Sequence, residues 1–341
     1  MLRVTLTDVA KEAGFHHSTV SRALRNHPGI PATTRDRIRR IAEEIGYIPD
    51  PNLSALASYK NCKRKPGFLS NLAWITNFPR EDGWTENPHF LSYFNGAKKR
   101  AAELGFAIEI FWLAGSIQAG KSPANILRAR GIRGLLICPQ PSPDSNLEID
   151  LNDFSAVSFG YTLANPRLHN VALDHFRSIQ MLTRKLAQLG YRRPKLLLSK
   201  ASDARVNFSW SAGYQSATRE LSLPFHEATY LDSNEPKQFI KSILKDAPDV
   251  ILATRGWAIQ AMRILTEAGQ KVPDDIAIAA VNANALDAGL GGVIELGELV
   301  GSHGIDMISA MIQRGERGVP SHVKHMTTDG EFYLGKTLKN K

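Results

Sequence analysis

A run of polar side chains between His17 and Arg25 has the composition of a surface that reads DNA bases. Imidazole, hydroxyl and guanidinium groups follow one another there, and each can donate or accept hydrogen bonds. Three apolar residues recur among them at helical spacing, which predicts a helix from about His17 to Asn26 with a polar front and an apolar back. Such a helix can enter the major groove of DNA while it packs on its own domain.

Two further helices are predicted beside this segment. The first starts at Thr5 and Asp8, which have the spacing of a capping box, and ends at Gly14, which suits the left-handed cap of a tight turn. The third runs from about Ala32 to Ile45. Three short helices with a tight turn between the first two predict a helix-turn-helix domain. The residues predicted to be buried in it are Leu6, Val9, Ala10, Ala13, Val20, Ala23, Leu24, Ile38, Ile41, Ala42 and Ile45.

This segment resembles the DNA-reading headpiece of LacI/GalR-type bacterial repressors. The matching strings are TLTDVAKEAG from Thr5, TVSR from Thr19, TRDRI from Thr34 and GYIP from Gly46. The resemblance implies a homodimer on a near-palindromic operator in double-stranded DNA. It also implies a recognition helix in each major groove and a hinge helix from each subunit in the minor groove between them.

The chain departs from the family where sequence would be read. The family usually has Val-Ser where this chain has Phe15-His16, and histidine is a poorer helix cap than serine. His16 and His17 are therefore either solvated turn residues or contacts to bases or phosphates, and Arg22 is the candidate for a bidentate guanine contact. The residues predicted to bind DNA are Thr5, His16, His17, Ser18, Thr19, Ser21, Arg22, Arg25, Tyr47, Asn52 and Leu56.

A hinge helix is predicted from Pro49 to Ala57. In the family a leucine matching Leu56 wedges into the central base step, which needs an apolar side chain. The alternative is that Leu53 and Leu56 pack the two hinge helices together, and the family's usual Ala-Arg pair is Leu53-Ser54 here. The charge distribution also indicates that the first fifth of the chain binds DNA. Residues 1–65 hold 12 Lys and Arg against 6 Asp and Glu, and they include the basic linker at residues 60–65.

Length and composition limit the remaining possibilities. The 341 residues are enough for two or three domains, and two cysteines are too few for a disulfide scaffold or a metal cluster. No export signal is visible, and no apolar stretch approaches the ~20 residues of a membrane span. The chain is therefore expected to be cytoplasmic, with no membrane partner. The histidines lack paired metal-ligand spacing, so neither a metal nor a cofactor is expected.

From Phe68 onward short apolar runs alternate with amphipathic segments, which favours parallel sheets covered by helices. The predicted strands are Leu69–Thr76, Ala107–Leu113, Gly134–Pro139, Ala156–Phe159, Lys195–Leu198, Val250–Ala253 and Ile276–Val281. The predicted helices are Phe90–Leu104, Ala124–Arg130, Phe176–Leu189, Trp210–Leu221, Pro236–Asp246 and Ile259–Ala268. Asp174 is interpreted as a helix cap or a lobe-bridging residue.

The predicted fold class is α/β. An all-α helix-turn-helix headpiece at 1–49 precedes a hinge helix and linker at 50–67. The rest, 68–341, is an effector-binding and dimerisation domain of two doubly wound parallel sheets with a cleft at their carboxyl ends. The family resemblance, traceable to Thr337, implies the same bilobed fold of periplasmic binding proteins. Chain crossings between the lobes are predicted near 160–165, 282–288 and 315–322.

The predicted effector cleft differs from the family pattern at three polar positions. The family usually has an arginine where Trp210 stands, an acid where Arg255 stands and often an aspartate where Asn282 stands. Aromatic rings could stack on a sugar, although Trp210 is equally well read as a packing residue and Trp84 as a surface residue. An arginine in place of an acid suggests an anionic effector, such as a uronate or a sugar phosphate. The residues predicted to bind the effector are Trp84, Phe90, Arg205, Trp210, Arg255, Trp257 and Asn282.

One motif favours a different class of protein. The segment Gly115–Ser122 satisfies G-x-x-x-x-G-K-S, the pattern of a loop that binds nucleotide phosphates. Pro123 removes a backbone donor directly after it, and no following strand ends in a metal-binding aspartate. A nucleotide hydrolase is therefore the weaker alternative, and no catalytic residue is predicted.

The prediction that follows is a transcriptional regulator, a repressor controlled by a small carbohydrate-type effector, and not an enzyme. A DNA-binding regulator without an effector remains the second alternative. Only four residues follow Thr337, with no heptad pattern among them, so a dimer rather than a tetramer is expected.

Overall fold

A computed structural model describes residues 4–24, 29–47, 70–224, 226–231, 244, 246–284 and 289–341. The predicted hinge, the basic linker and most of the helix predicted at 236–246 lie outside these residues, as do Arg25, Asn52 and Leu56. The predicted fold class, a helix-turn-helix headpiece followed by two α/β lobes, is confirmed. The limits of the three predicted segments remain a prediction.

The headpiece consists of three helices, α1 (Leu6–Ala13), α2 (His17–Leu24) and α3 (Ala32–Glu44). The predicted capping box is present, since the amide of Asp8 donates to Thr5 Oγ1 at 3.4 Å and the amide of Thr5 donates to Asp8 Oδ2 at 2.8 Å. Seven apolar side chains from the three helices form one buried cluster, and every residue predicted to be buried here belongs to that cluster or packs against it. The helices therefore assemble as the hydrophobic pattern predicted.

The first lobe is built on a wholly parallel six-stranded sheet in the order β13-β7-β5-β3-β1-β2. Its strands are β1 (Ser70–Thr76), β2 (Phe106–Trp112), β3 (Gly134–Ile137), β5 (Ser155–Phe159), β7 (His169–Leu173) and β13 (His325–Thr328). A separate pair of short strands comprises β4 (Ser145–Asn146) and β6 (Leu163–Asn165). The lobe's helices are α4 (Pro88–Glu103), α5 (Leu113–Gln118), α6 (Pro123–Ala129) and α11 (Gly297–Arg314), with a 3₁₀ turn at Gly83–Glu86.

The second lobe has a sheet in the order β14-β12-β11-β10-β8-β9, parallel except for its edge strand β14. Its strands are β8 (Pro194–Ser199), β9 (Thr229–Leu231), β10 (Val250–Ala253), β11 (Ala277–Ala283), β12 (Gly292–Ile294) and β14 (Glu331–Tyr333). Its helices are α7 (His175–Gln188), α8 (Lys200–Ala204), α9 (Ser209–Glu220) and α10 (Arg255–Glu267). The buried faces of both sheets are dominated by aliphatic side chains, as expected for strands covered on two sides.

The chain crosses between the lobes at three places that differ from the prediction. The crossings lie at Asp174, between β7 and α7, at 295–296, between β12 and α11, and at 329–330, between β13 and β14. The crossings were predicted near 160–165, 282–288 and 315–322, of which residues 285–288 lie outside the described residues. The prediction differs because β7 and β13 contain polar residues and β12 has only three residues, so none of them leaves a clear apolar run in the sequence. Asp174 caps α7, whose Arg177 amide donates to its Oδ1 at 2.9 Å.

Helices α4 and α11 pack unusually close together through glycines. A Cβ atom on Gly301 would overlap the carbonyl oxygen of Tyr93, and one on Gly96 would overlap the carbonyl oxygen of Glu298. One on Gly297 would lie 2.6 Å from the hydroxyl of Ser92. The second and third turns of α4 are therefore held against the start of α11 by backbone contact, which only glycine permits.

We expect Gly301→Ala to lower the thermal unfolding midpoint. Alanine in place of a helical glycine would by itself raise the free energy of unfolding by about 0.4–1 kcal/mol, because it restricts the unfolded chain. The overlap with the Tyr93 carbonyl outweighs this gain, since overpacking destabilises by about 1–3 kcal/mol. Circular dichroism during heating measures the midpoint, with Gly256→Ala as the matched control because a Cβ there meets open space. Equal midpoints for the two variants would contradict the close packing.

Candidate DNA-reading surface and interlobe cleft

The front of α2 is exposed and its back is buried, as a recognition helix requires. His17, Ser18 and Arg22 are exposed, whereas Val20 and Ala23 are completely buried in the headpiece cluster. Thr19 and Ser21 lie at the margins of this face and are half-buried. The exposed face carries imidazole, hydroxyl and guanidinium groups that can bond to base edges or phosphates.

His16 takes the place of the missing serine cap at the start of α2. The amide of Ser18 donates to His16 Nδ1 at 3.4 Å, and the Ser18 hydroxyl lies 2.9 Å from the same nitrogen. Because a backbone amide can only donate, Nδ1 accepts this bond, and the His16 side chain caps the start of α2. The departure at Phe15 is accommodated by packing, because its ring lies against the headpiece cluster with the Arg37 guanidinium 5.7 Å from the ring centre.

The remaining predicted DNA contacts have varied surroundings. Thr5 is exposed but its side chain is engaged in the capping box of α1. Tyr47 is half-buried and packs against the headpiece cluster. A DNA contact by any of these side chains remains a prediction.

A cavity of about 520 Å³ lies between the lobes, at the carboxyl ends of strands from both sheets. The predicted effector residues that line it are Phe90, Arg205, Trp210, Arg255 and Asn282. This position matches the general rule for open parallel sheets, which bind ligands at the carboxyl ends of their strands. Tyr93, Tyr161 and Thr254 line the same cavity and were not predicted.

Two of the predicted effector residues do not line the cavity. Trp84 is 2% exposed, because the 3₁₀ turn directs its indole into the first-lobe core against Trp74 and Phe94, with ring centres 5.9 Å and 5.2 Å away. Trp257 packs against the apolar cluster under α10. Both indoles serve the cores of their lobes, so their assignment to the cavity wall was wrong.

Arg205 links the two lobes across the cavity. It follows α8 of the second lobe, and its guanidinium donates to the first-lobe carbonyls of Pro141 at 2.7 Å and Gln140 at 2.9 Å. The same group lies 5.6 Å from the ring centre of Phe90 on α4. Burial lowers the pKa of Arg205 from its usual value.

A buried carboxylate between two histidines forms a second link, which was not predicted from the sequence. Glu295, at the second crossing, lies 2.7 Å from Nδ1 of His89 on α4 and 3.7 Å from Nδ1 of His175 on α7. Burial alone raises the pKa of Glu295, but the charges of both histidines and the His89 hydrogen bond together hold it below its usual value. Helix-start positions for both histidines were the only available sequence signal, and it was too weak to connect them to Glu295.

His175 is a titratable residue in the cavity wall, at the start of the second-lobe helix α7. Burial lowers its pKa, an effect that the Glu295 charge opposes and the His89 charge reinforces. Its ring contacts Trp210 edge-on at 5.1 Å and lies 6.0 Å from the ring of Tyr161. Burial, with a smaller effect from Asp174, raises the pKa of Tyr161 to about 12, so its hydroxyl stays protonated and donates to the Leu173 carbonyl at 3.0 Å.

The start of α10 forms the opposite part of the wall. The backbone amide of Arg255 donates to Asn282 Oδ1 at 2.8 Å, which fixes β11 against the first turn of α10. Thr254 precedes the helix and makes no side-chain capping bond. The Trp210 Nε1 proton is buried without a partner among the described residues. The cavity therefore offers a helix amino terminus, two arginines and aromatic faces.

The phosphate-loop alternative is wrong on local geometry. Residues Leu113–Gln118 form helix α5, so the motif starts inside a helix rather than in an open loop. The amides of Ala119, Gly120 and Lys121 donate to carbonyls of the same segment at 2.9–3.1 Å, so they cannot surround a phosphate. Nor do the described residues include a group of three or more side chains placed to hold a metal ion.

None of the described helices is long and apolar enough to cross a membrane. Cys138 is buried, and burial raises the pKa of its thiol well above the usual value. Cys62 lies outside the described residues.

A helix-turn-helix headpiece joined to two α/β lobes around a ligand-sized cavity defines a ligand-responsive DNA-binding protein. The model of the lacI family of bacterial regulatory proteins matches residues 5–50, and that of the periplasmic binding protein-like domain matches residues 183–331. The chain belongs to the LacI/GalR family of DNA-binding transcriptional regulators.

Similar proteins agree with this assignment. The lactose operon repressor of Escherichia coli K12 is 25% identical over 82% of this chain and 75% of its own. A structure of the transcriptional regulator CelR with cellobiose superposes with a TM-score of 0.58 at 19% identity, covering 98% of this chain and 100% of the other. The lac repressor dimer bound to operator and an anti-inducer gives 0.57 at 20% identity, covering 98% and 99%. The structural likenesses support the fold.

We expect acid to destabilise the protein partly through His175. Its folded pKa is depressed, so the unfolded chain binds more protons below the unfolded pKa of about 6.5, and stability falls as the pH drops from about 7 to 5. His175→Gln should flatten this slope, because glutamine cannot titrate. Urea unfolding at several pH values measures it, with His322→Gln on the exposed surface as the control. Parallel slopes for wild type and His175→Gln would contradict the assignment.

Proposed function

We propose that this chain is a repressor that binds a near-palindromic operator in double-stranded DNA as a homodimer. We further propose that a small carbohydrate-type effector in the interlobe cavity controls this binding. The observation that carries the proposal is the exposed polar face of α2 on a buried apolar back, in a chain that also has a ligand-sized cavity. A DNA-binding regulator acts where the chromosome lies, so we expect the protein in the bacterial cytoplasm.

The proposal assigns base reading to the α2 face. His17, Ser18 and Arg22 are its exposed members, and the His16 ring caps the helix beside them. An arginine fork matches the O6 and N7 acceptors of guanine, so Arg22 is the proposed bidentate contact. The chain acts in this proposal by binding alone, without a catalytic step, metal or cofactor.

Arg22→Ala should abolish preference at one base pair in each half-site. A bidentate pair discriminates against a wrong base by about 1–3 kcal/mol, and the variant should lose that discrimination. The operator is first selected from a random duplex library, and affinities are then measured for all single-base-pair variants. Arg40→Ala is the control, since Arg40 is exposed on α3 and pairs with Glu44 at 3.7 Å. Equal weakening on every sequence would instead make Arg22 a phosphate contact.

Dimerisation is proposed through the two lobes. Large apolar side chains remain exposed on both of them, including Ile110 on β2, Ile117 on α5 and Ile259 on α10. Contact between such surfaces is favourable because it removes apolar area from water. Light scattering of the full chain should give the mass of two subunits. A stable tetramer would contradict this proposal.

A further inference from the structure

The charge of Arg205 is not compensated by any acid among the described residues. Its hydrogen-bond acceptors are two uncharged carbonyls, those of Gln140 and Pro141, and its other neighbour is the Phe90 ring. Arg205 is half-buried, and partial removal from water makes a cation less favourable unless it pairs with an anion. The cavity is the open space beside the guanidinium. An anion that enters the cavity would supply the ion pair that the described residues do not.

The acids that line the cavity are engaged elsewhere. Glu295 is held by His89 at 2.7 Å, with His175 on its other oxygen. Glu86 pairs with Arg80 at 2.5 Å. Neither carboxylate is within ion-pairing distance of Arg205. Both carboxylates are therefore engaged with other partners, and neither neutralises Arg205.

The start of α10 adds a second feature that favours an anion. Its first residue, Arg255, lines the cavity, and the backbone amide of Arg255 donates to Asn282 Oδ1 at 2.8 Å. The positive end of the helix dipole lies at this amino terminus and favours an anion. Two separate elements, the segment after α8 and the start of α10, thus favour a negative group in the cavity.

The Arg205 guanidinium retains donors for a ligand. It has five N–H groups, of which the two carbonyl contacts require one each. Its planar fork fits the paired oxygens of a carboxylate or a phosphate. Phe90 and Trp210 supply apolar surface in the same cavity, which suits the ring of a sugar.

We propose that the effector is a sugar derivative with an anionic group, a carboxylate or a phosphate, and that Arg205 receives this group. The inference rests on the proposed effector function of the cavity and adds the chemical class of the ligand. Arg205 contacts the first lobe from the second, so an anion bound to it also joins the contact that spans the lobes.

Isothermal titration of the full-length protein tests the inference with matched pairs of ligands. Glucuronate, galacturonate and gluconate represent the carboxylates, glucose 6-phosphate and galactose 6-phosphate the phosphates, and glucose and galactose the neutral parents. We expect one acid or phosphate to bind at least 100-fold more tightly than its neutral parent. Binding of a sugar acid would identify the anionic group as a carboxylate, and binding of a sugar phosphate would identify it as a phosphate.

Variants of Arg205 tie the preference to this residue. Arg205→Gln should weaken binding of the anionic ligand at least 100-fold, and Arg205→Lys, which keeps the charge but not the fork, should weaken it less. The control is Arg177→Gln, since Arg177 is exposed on α7 and does not line the cavity. Thermal midpoints without ligand verify folding. If Arg205→Gln fails to fold, Arg205→Lys alone should still show at least tenfold weaker binding.

Three results would overturn the inference. A neutral sugar that binds as tightly as its acid, or an Arg205→Gln variant with wild-type affinity for the acid, would refute the anionic class while leaving an effector function intact. Absence of binding by every ligand would refute both the anionic class and the proposed effector. Operator selection is independent of these titrations, so the DNA-binding function is judged separately.

Discussion

The cleft depends on one buried carboxylate. Glu295 lies at the second chain crossing, where it is hydrogen-bonded to His89 of the first lobe and lies close to His175 at the start of the second-lobe helix α7. A buried carboxylate without partners would be strongly unfavourable in this position, and the His89 imidazole at 2.7 Å is the partner that offsets this cost. Since His175 in turn supports Trp210 and Tyr161, the wall of the cavity is organised around this group.

Helix packing in the first lobe brings Glu295 and His89 together. His89 lies in the first turn of α4, and Glu295 lies two residues before Gly297, where α11 starts. The close approach of the two helices, which the absence of side chains at Gly96 and Gly301 permits, places both helix starts side by side. A bulkier residue would separate the helices and with them the two members of the buried pair. The close packing of α4 and α11 in the core is thus also what positions the polar groups in the cavity wall.

The sequence predicted the headpiece and most sheet strands because those features are local. Helical periodicity and a capping box determine α1, and short aliphatic runs determine strands such as β3 and β10. Helix α11 was missed because its glycines indicate a break in the chain, whereas their actual role is contact with α4. Tertiary packing decides which way the indoles of Trp84 and Trp257 point. It also brings His89, Glu295 and His175 together, and a periodic sequence pattern carries no information about such contacts.

Control of DNA binding requires a ligand that distinguishes two lobe arrangements. A ligand with equal affinity for both would shift neither population, however tightly it bound. Arg205 is a place where such a difference can arise, because its guanidinium donates to the Pro141 and Gln140 carbonyls of the opposite lobe at 2.7 and 2.9 Å, and a change of lobe angle would alter these contacts. In the proposal, an anion bound by the same guanidinium acts on this contact between the lobes. By linkage, a ligand that changes the affinity for DNA by some factor has its own affinity changed by DNA by the same factor.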